Sequence, residues 1–269
     1  MKNKRRPIQM NPLHKPPLDQ IAVRRIDLHP NRPTILFLHD SLGCIELWRD
    51  FPQQLAEQCQ CNAWIYDRQG YGQSCPFSYQ ERSNDYMEWE ADVLSELMDH
   101  WQLDKAILFG HSDGGSIALI AASKYPQKIE GVIAEGAHIF VEDITIAGIQ
   151  DAIKVYQGTP LPAKLARYHG DKTQDMFWAW ADTWTRDSFR DWDISSFLAG
   201  VQCPSLIIQG EADEYGSLQQ VEGIVRGVKG PVEKFIIPKV KHTPHKEVPQ
   251  EILDRASQFI HQQIAKNAC

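Results

Sequence analysis

Residues 106–120 read Ala106-Ile-Leu-Phe-Gly-His-Ser-Asp-Gly-Gly-Ser-Ile-Ala-Leu-Ile120. An apolar run ends in Gly110-His111-Ser112-Asp113-Gly114, and a run of small apolar residues begins at once. The first run predicts a buried strand and the second a helix, with a serine at the bend between them. That is the Gly-x-Ser-x-Gly pattern of a nucleophile elbow. So sharp a turn leaves no space for nearby side chains, hence the glycines, and it strains the serine's own backbone. The bend lifts the hydroxyl clear of the sheet and sets it at the positive end of the following helix.

On either side of the elbow, apolar runs alternate with amphipathic stretches. Residues 21–28 predict an edge strand, and the continuous runs at 34–38 and 62–66 predict strands covered on both faces. Residues 46–58 predict a helix with Leu47, Phe51 and Leu55 on one side. A second helix begins near Ser83 or Asn84 as cap and carries Met87, Ala91, Leu94, Met98 and Trp101 on one face. Strand 105–110, helix 113–125 and strand 131–134 follow. The strand pattern then stops over 139–197 and resumes at 204–209 and 234–238, before a last amphipathic helix. Strands that alternate with helices imply an α/β fold with a mostly parallel sheet and helices on both faces. The expected organisation is a core of 1–138 and 198–269, with 139–197 inserted as a helical cap. In such sheets the ligand site lies outside the carboxyl ends of the strands, where His39, Arg68, Ser112 and His138 would sit.

Composition narrows the function. At 269 residues the chain suits one large domain or a domain with an insertion. A formal charge of −7 argues against nucleic acid or an anionic membrane as main partner. The basic run Lys2 to Arg6 reads as a solvated terminus. No apolar segment resembles a secretory signal or a membrane span, so a cytoplasmic location is expected. The six cysteines show no paired Cys-x-x-Cys spacing, which suits reduced structural thiols.

Serine is a weak nucleophile without an adjacent base, itself oriented by a third group. Asp213 lies in Gly210-Glu-Ala-Asp213, just after the penultimate predicted strand, with Glu211 and Glu214 as alternative acids. His242 and His245 follow the last one, in Lys241-His-Thr-Pro-His245. The order Ser, Asp, His, each after a strand, is that of α/β-hydrolases. With Tyr66-Asp-Arg-Gln-Gly-Tyr-Gly72, these motifs make the chain from about residue 20 onward resemble the valacyclovir hydrolase (biphenyl-hydrolase-like) branch of that superfamily. The 3-oxoadipate enol-lactonase group is similar too, partly through Ser41-Leu-Gly43. The resemblance implies Ser112 as nucleophile, Asp213 as orienting acid and His242 as base. It also implies that Asp113 recognises an α-amino group, although a carboxylate at a helix N-terminus is favoured by the dipole alone.

An oxyanion hole needs backbone N–H groups aimed at the developing charge. Asp113 would supply one and Ser41, or else Leu42, the other. The family's usual His-Gly at this loop is His39-Asp40 here, which places a carboxylate near the hole. His39, Asp113, His138 and Trp178 are the candidate substrate-binding residues; Glu135 would add polarity or be structural. Of the four tryptophans in the inserted segment, one or two are expected to line the pocket. His242 and His245 lack a nearby third metal ligand, and neither metal nor cofactor is expected. The chemistry implied is hydrolysis of small-molecule carboxylic esters through an acyl-enzyme, with a preference for α-amino-acid esters as its finer form. Enol-lactone opening and C–C bond hydrolysis use the same triad, and a receptor-like protein that retains the fold is the alternative from another class. An unperturbed base would lose activity at about pH 6–7.

Overall fold

The computed structural model describes residues 15–78 and 81–264; the run Lys2 to Arg6 and Cys269 lie outside the described residues. Strand β1 (Val23–Ile26) leads to β2 (Thr34–Leu38), helix α1 (Phe51–Cys59) and β3 (Asn62–Tyr66). Helix α2 (Tyr86–His100), β4 (Ala106–His111), α3 (Asp113–Lys124) and β5 (Ile129–Glu135) follow. Four helices then intervene: α4 (Asp143–Gly158), α5 (Leu161–His169), α6 (Thr173–Thr185) and α7 (Ser195–Leu198). The chain closes with β6 (Ser205–Gly210), α8 (Leu218–Gly227), β7 (Val232–Ile237), α9 (Pro244–Glu247) and α10 (Pro249–Gln263).

The seven strands form one sheet in the order β1-β3-β2-β4-β5-β6-β7, parallel except for β1, which runs antiparallel to β3 at the edge. The expected α/β architecture is therefore present. Period-two alternation divides each strand between two cores. Leu36, Leu38 and Leu108 face a core shared with α2 and α3. Ile35, Phe37, Ile107 and Phe109 face one shared with α1 and α10. Both faces of the central strands are apolar and fully buried, which is why they read as unbroken apolar runs.

Three local expectations are corrected. The helix expected over 46–58 is broken at Arg49, whose φ of 54° separates a 3-10 turn (Ile45–Trp48) from α1. Proline at the second position of α1 suits a helix start and would disrupt a helix interior. Helix α2 starts at Tyr86 without a side-chain cap; the Asn84 amide instead reaches the Ser188 carbonyl and Arg186. Helix α8, absent from the sequence pattern, is capped by Ser217, whose Oγ accepts the Gln219 N–H at 3.1 Å.

Candidate active site

The elbow is built as the glycine pattern requires. Ser112 has φ 54° and ψ −120° and directly precedes α3, a left-handed backbone that non-glycine residues rarely adopt. A Cβ on Gly110 would lie 2.2 Å from the Gly114 carbonyl oxygen, and one on Gly114 would lie 2.1 Å from that of Leu38. Backbone blocks both positions, so neither tolerates a side chain. The Ser112 N–H donates to the Glu135 carbonyl at 2.8 Å, which ties the bend to the end of β5.

Loops from two later strands meet it. The ring of His242, after β7, stands with Nε2 3.0 Å from Ser112 Oγ. Its Nδ1 lies 2.9 Å from both carboxylate oxygens of Asp213, after β6. Asp213 Oδ1 also accepts the backbone N–H groups of Tyr215 (2.8 Å) and Gly216 (3.3 Å). Burial raises the Asp213 pKa, but the charge and hydrogen bond of His242 and the Tyr215 N–H outweigh it, so the carboxylate stays ionised below its ordinary range. Burial likewise disfavours protonation of His242, yet Asp213, Asp40 and Glu214 outweigh it and raise its pKa. Of the alternatives, Glu211 is exposed and Glu214 accepts the His242 backbone N–H, at 3.3 Å, and not its ring. The His245 ring turns instead to Glu135 Oε1, at 2.6 Å.

The loop after β2 carries the unusual Asp40. Its Oδ2 accepts the Leu42 N–H at 3.4 Å, and its Oδ1 lies 3.9 Å from His111 Nδ1. Burial opposes its charge, but the nearby His111 and the charge of Lys246 hold its pKa well below the usual range. The Leu42 N–H is thereby engaged, whereas those of Ser41 and Asp113 have no acceptor among the described residues. His39 is corrected as a substrate-binding candidate. Its Nδ1–H donates to the Asp40 carbonyl (2.7 Å) and its Nε2 accepts the Arg68 N–H (3.0 Å), so the buried ring fixes two loops and does not line the cleft. From α5, His169 acts similarly: its Nδ1 accepts the Gly72 N–H at 3.0 Å and its Nε2–H donates to the Leu42 carbonyl at 3.2 Å.

Ser112 opens onto a cleft of about 240 Å³. Asp40, Asp113, His138 and Glu214 give its polar lining; Ile149 of α4 and Trp180 and Trp184 of α6 give its apolar wall. Trp178 is corrected: it packs against Tyr156 and Phe177, away from the cleft. Phe177, Trp180, Ala181 and Trp184 follow the i, i+3, i+4, i+7 stripe of one helix face, and Trp178 falls off it. His138 Nε2–H donates to the Tyr215 carbonyl at 3.1 Å, and burial lowers its pKa, so the ring is neutral.

Asp113 is 1% exposed although it lines the cleft. Its Oδ2 accepts the Tyr86 hydroxyl at 2.9 Å, and Tyr86 accepts the Trp184 indole N–H at 3.1 Å. The fully buried guanidinium of Arg68 stands 3.8 Å from the same oxygen. The sequence pattern marks Arg68 only as lying at the sheet's carboxyl edge; its pairing with Asp113 emerges from the fold.

A serine at a strained strand–helix bend, bonded to a histidine and through it to a carboxylate, defines a class of hydrolases built on a parallel sheet. The family model described as alpha/beta hydrolase fold matches residues 33–197, and the chain belongs to that α/β-hydrolase family of hydrolytic enzymes. It is 31% identical over 258 residues to "Serine hydrolase BPHL" of Homo sapiens, across 90% of this chain and 85% of that protein. The resemblance to the biphenyl-hydrolase-like branch is thus borne out. Among solved structures, a carboxylesterase of the thaumarchaeon Nitrososphaera gargenis superposes with TM-score 0.74 at 17% identity, covering 95% of this chain and 100% of that one. The enol-lactonase from Burkholderia xenovorans LB400 gives 0.71 at 15% identity, covering 90% and 96%. At such identities the likeness is one of fold.

Proposed function

We propose that the protein hydrolyses carboxylic esters of small molecules through Ser112, His242 and Asp213. The observation that carries this is the unbroken hydrogen-bonded chain from Asp213 through His242 to Ser112 Oγ. His242 takes the Ser112 proton as the oxygen attacks the ester carbonyl. The N–H groups of Asp113 and Ser41, both without an acceptor among the described residues, hold the oxyanion. Protonated His242 then gives its proton to the leaving alcohol, and the neutral ring activates the water that releases the acid. Residues 139–197 act as a cap whose Trp180 and Trp184 seat an apolar portion of the substrate. The cleft is small beside the roughly 300–1,000 Å³ of drug-sized ligand pockets, which favours a compact acyl group.

Within this chemistry, a preference for α-amino-acid esters has support in the carboxylates of Asp40, Asp113 and Glu214 along the cleft. The charge of Arg68 beside Asp113 works against it, so the preference rests on all three acids and not on Asp113 alone. A chromogenic panel of simple acyl esters, aminoacyl esters of the same alcohol and a lactone tests both levels. Ser112→Ala should lower kcat on the best substrate by about 10⁴- to 10⁶-fold; near-normal turnover would refute the assignment. Asp113→Ala should reduce the aminoacyl-to-acyl ratio of kcat/KM, and an unchanged ratio would leave Asp113 with a structural role. A protein that is labelled once and turns over no ester would be the receptor-like form, against which the intact triad geometry speaks.

A further inference from the structure

Beside the Ser112–His242 pair lies a second set of buried ionisable side chains that ester hydrolysis does not itself use: His111, Glu135 and His245. His111 and Glu135 end β4 and β5 and are register partners across the sheet. His245, in α9, comes three residues after His242. The Nε2–H of His111 donates to the backbone carbonyl of His242 at 2.8 Å. Glu135 Oε1 accepts the ring Nδ1–H of His245 at 2.6 Å and its backbone N–H at 3.3 Å. The segment 242–245 is thus gripped at both ends by the two strand ends that also hold the nucleophile. The His245 ring is stacked on Trp48 at 4.6 Å and meets His111 edge-on at 5.0 Å.

A buried carboxylate is costly unless paired, and apolar side chains of similar volume commonly serve stability as well or better. This trio therefore calls for a reason beyond filling space. We propose that His111, Glu135 and His245 are positioning residues: a clamp that fixes the His242 loop to the nucleophile's strand so that the imidazole stays in line with Ser112 Oγ. The clamp rests on the assignment of Ser112 and His242 as nucleophile and base. The trio also brings one potential ligand atom each within 4.8 Å of one another. However, His111 Nε2 is committed to the His242 carbonyl and His245 Nδ1 to Glu135, so a cation held by these two nitrogens would have to displace both bonds.

The test uses paired substitutions and the best ester of the panel. His111→Phe and His245→Phe fill the ring's space without an N–H. His111→Gln and His245→Asn return an amide N–H close to the lost Nε2 and Nδ1. The Phe variants should lose roughly 10- to 100-fold in kcat with KM within about twofold, and the amide variants should recover most of it. Should either Phe variant fail to fold, Glu135→Leu combined with His245→Phe replaces both partners by apolar groups, which buried pairs tolerate. That double variant should fold and show the same loss in kcat at constant KM. A folded Phe or double variant with wild-type kcat would overturn the clamp. So would equal losses in the Phe and amide variants, since the returned N–H donor would then have rescued nothing. One equivalent of divalent metal in the wild type that is absent from His245→Phe would overturn it in favour of a metal site. His242→Ala separates the two levels: if it turns over like the wild type, the base assignment itself fails, whereas failure of the clamp alone leaves that variant inactive.

Discussion

His242 is flanked by Asp213 on its ring, Glu214 on its backbone N–H and Asp40 in the same cleft. Burial opposes the imidazolium, but these carboxylates outweigh it and set the pKa above the ordinary 6.5. The proposed base works in its neutral form, so kcat/KM should fall on the acidic side, with the limb displaced to higher pH than that of an unperturbed histidine. Asp40→Asn and Glu214→Gln each remove a raising charge and should move the limb to lower pH. Steady-state profiles of the three proteins check this, and a limb that stays in place in both variants would mean that neither charge reaches the ring. Asp40 thus has a second aspect. The carboxylate that looks harmful to an oxyanion in the sequence is turned toward Leu42 and His111, and it keeps the base charged to a higher pH.

At the level of elements, the elbow is the most constrained join in the chain. Gly114→Ala sets a methyl against the Leu38 carbonyl, with backbone on both sides and nowhere to yield. Overpacking of this kind costs about 1–3 kcal/mol or more, so the variant should melt at a clearly lower temperature and lose activity; an unchanged Tm would contradict the contact. The strands were legible because parallel strands covered on both faces must be apolar throughout, as in Thr34–Leu38 and Ala106–His111. Ser112 and Asp213 were legible as candidates because each follows such a strand, and His242 because it follows the apolar end of the edge strand β7, Phe235-Ile-Ile237. The break at Arg49 was not, because Leu47, Phe51 and Leu55 keep a helical spacing across it. The spacing of Phe177, Trp180, Ala181 and Trp184 marks one face of α6, but that this face and not Trp178 borders the cleft emerges only from the fold. The contacts of Glu135 with His245 and of His111 with the His242 carbonyl join positions 110 and 131 residues apart, which no local pattern encodes.

Across the molecule, four buried histidines, His39, His138, His169 and His245, have pKa values lowered by burial. Below about 6.5 the unfolded chain takes up protons that these rings refuse in the fold, so their linkage makes stability fall as pH decreases. His242 acts in the opposite sense, as do Asp67 and Glu90, whose pKa values burial raises. The four rings outnumber His242 just below 6.5, and Tm should decline from pH 7 toward 5.5; a rise over that interval would contradict the balance. Among the described residues no helix is long and apolar enough to cross a membrane. The strand order also has a consequence in time. Strands β1 to β5 form five contiguous strands of the seven and are complete by residue 135, and β6 and β7 add to one edge in chain order. During synthesis, which favours folding from the N-terminus, the elbow can form while Asp213 and His242 are still unmade. The proposed base lies 130 residues beyond the serine, so a nascent or truncated chain carries a bent serine without its activator. On the proposed assignment, reactivity arrives only with the last two strands, and the unfinished protein should be silent toward the esters it would later cleave.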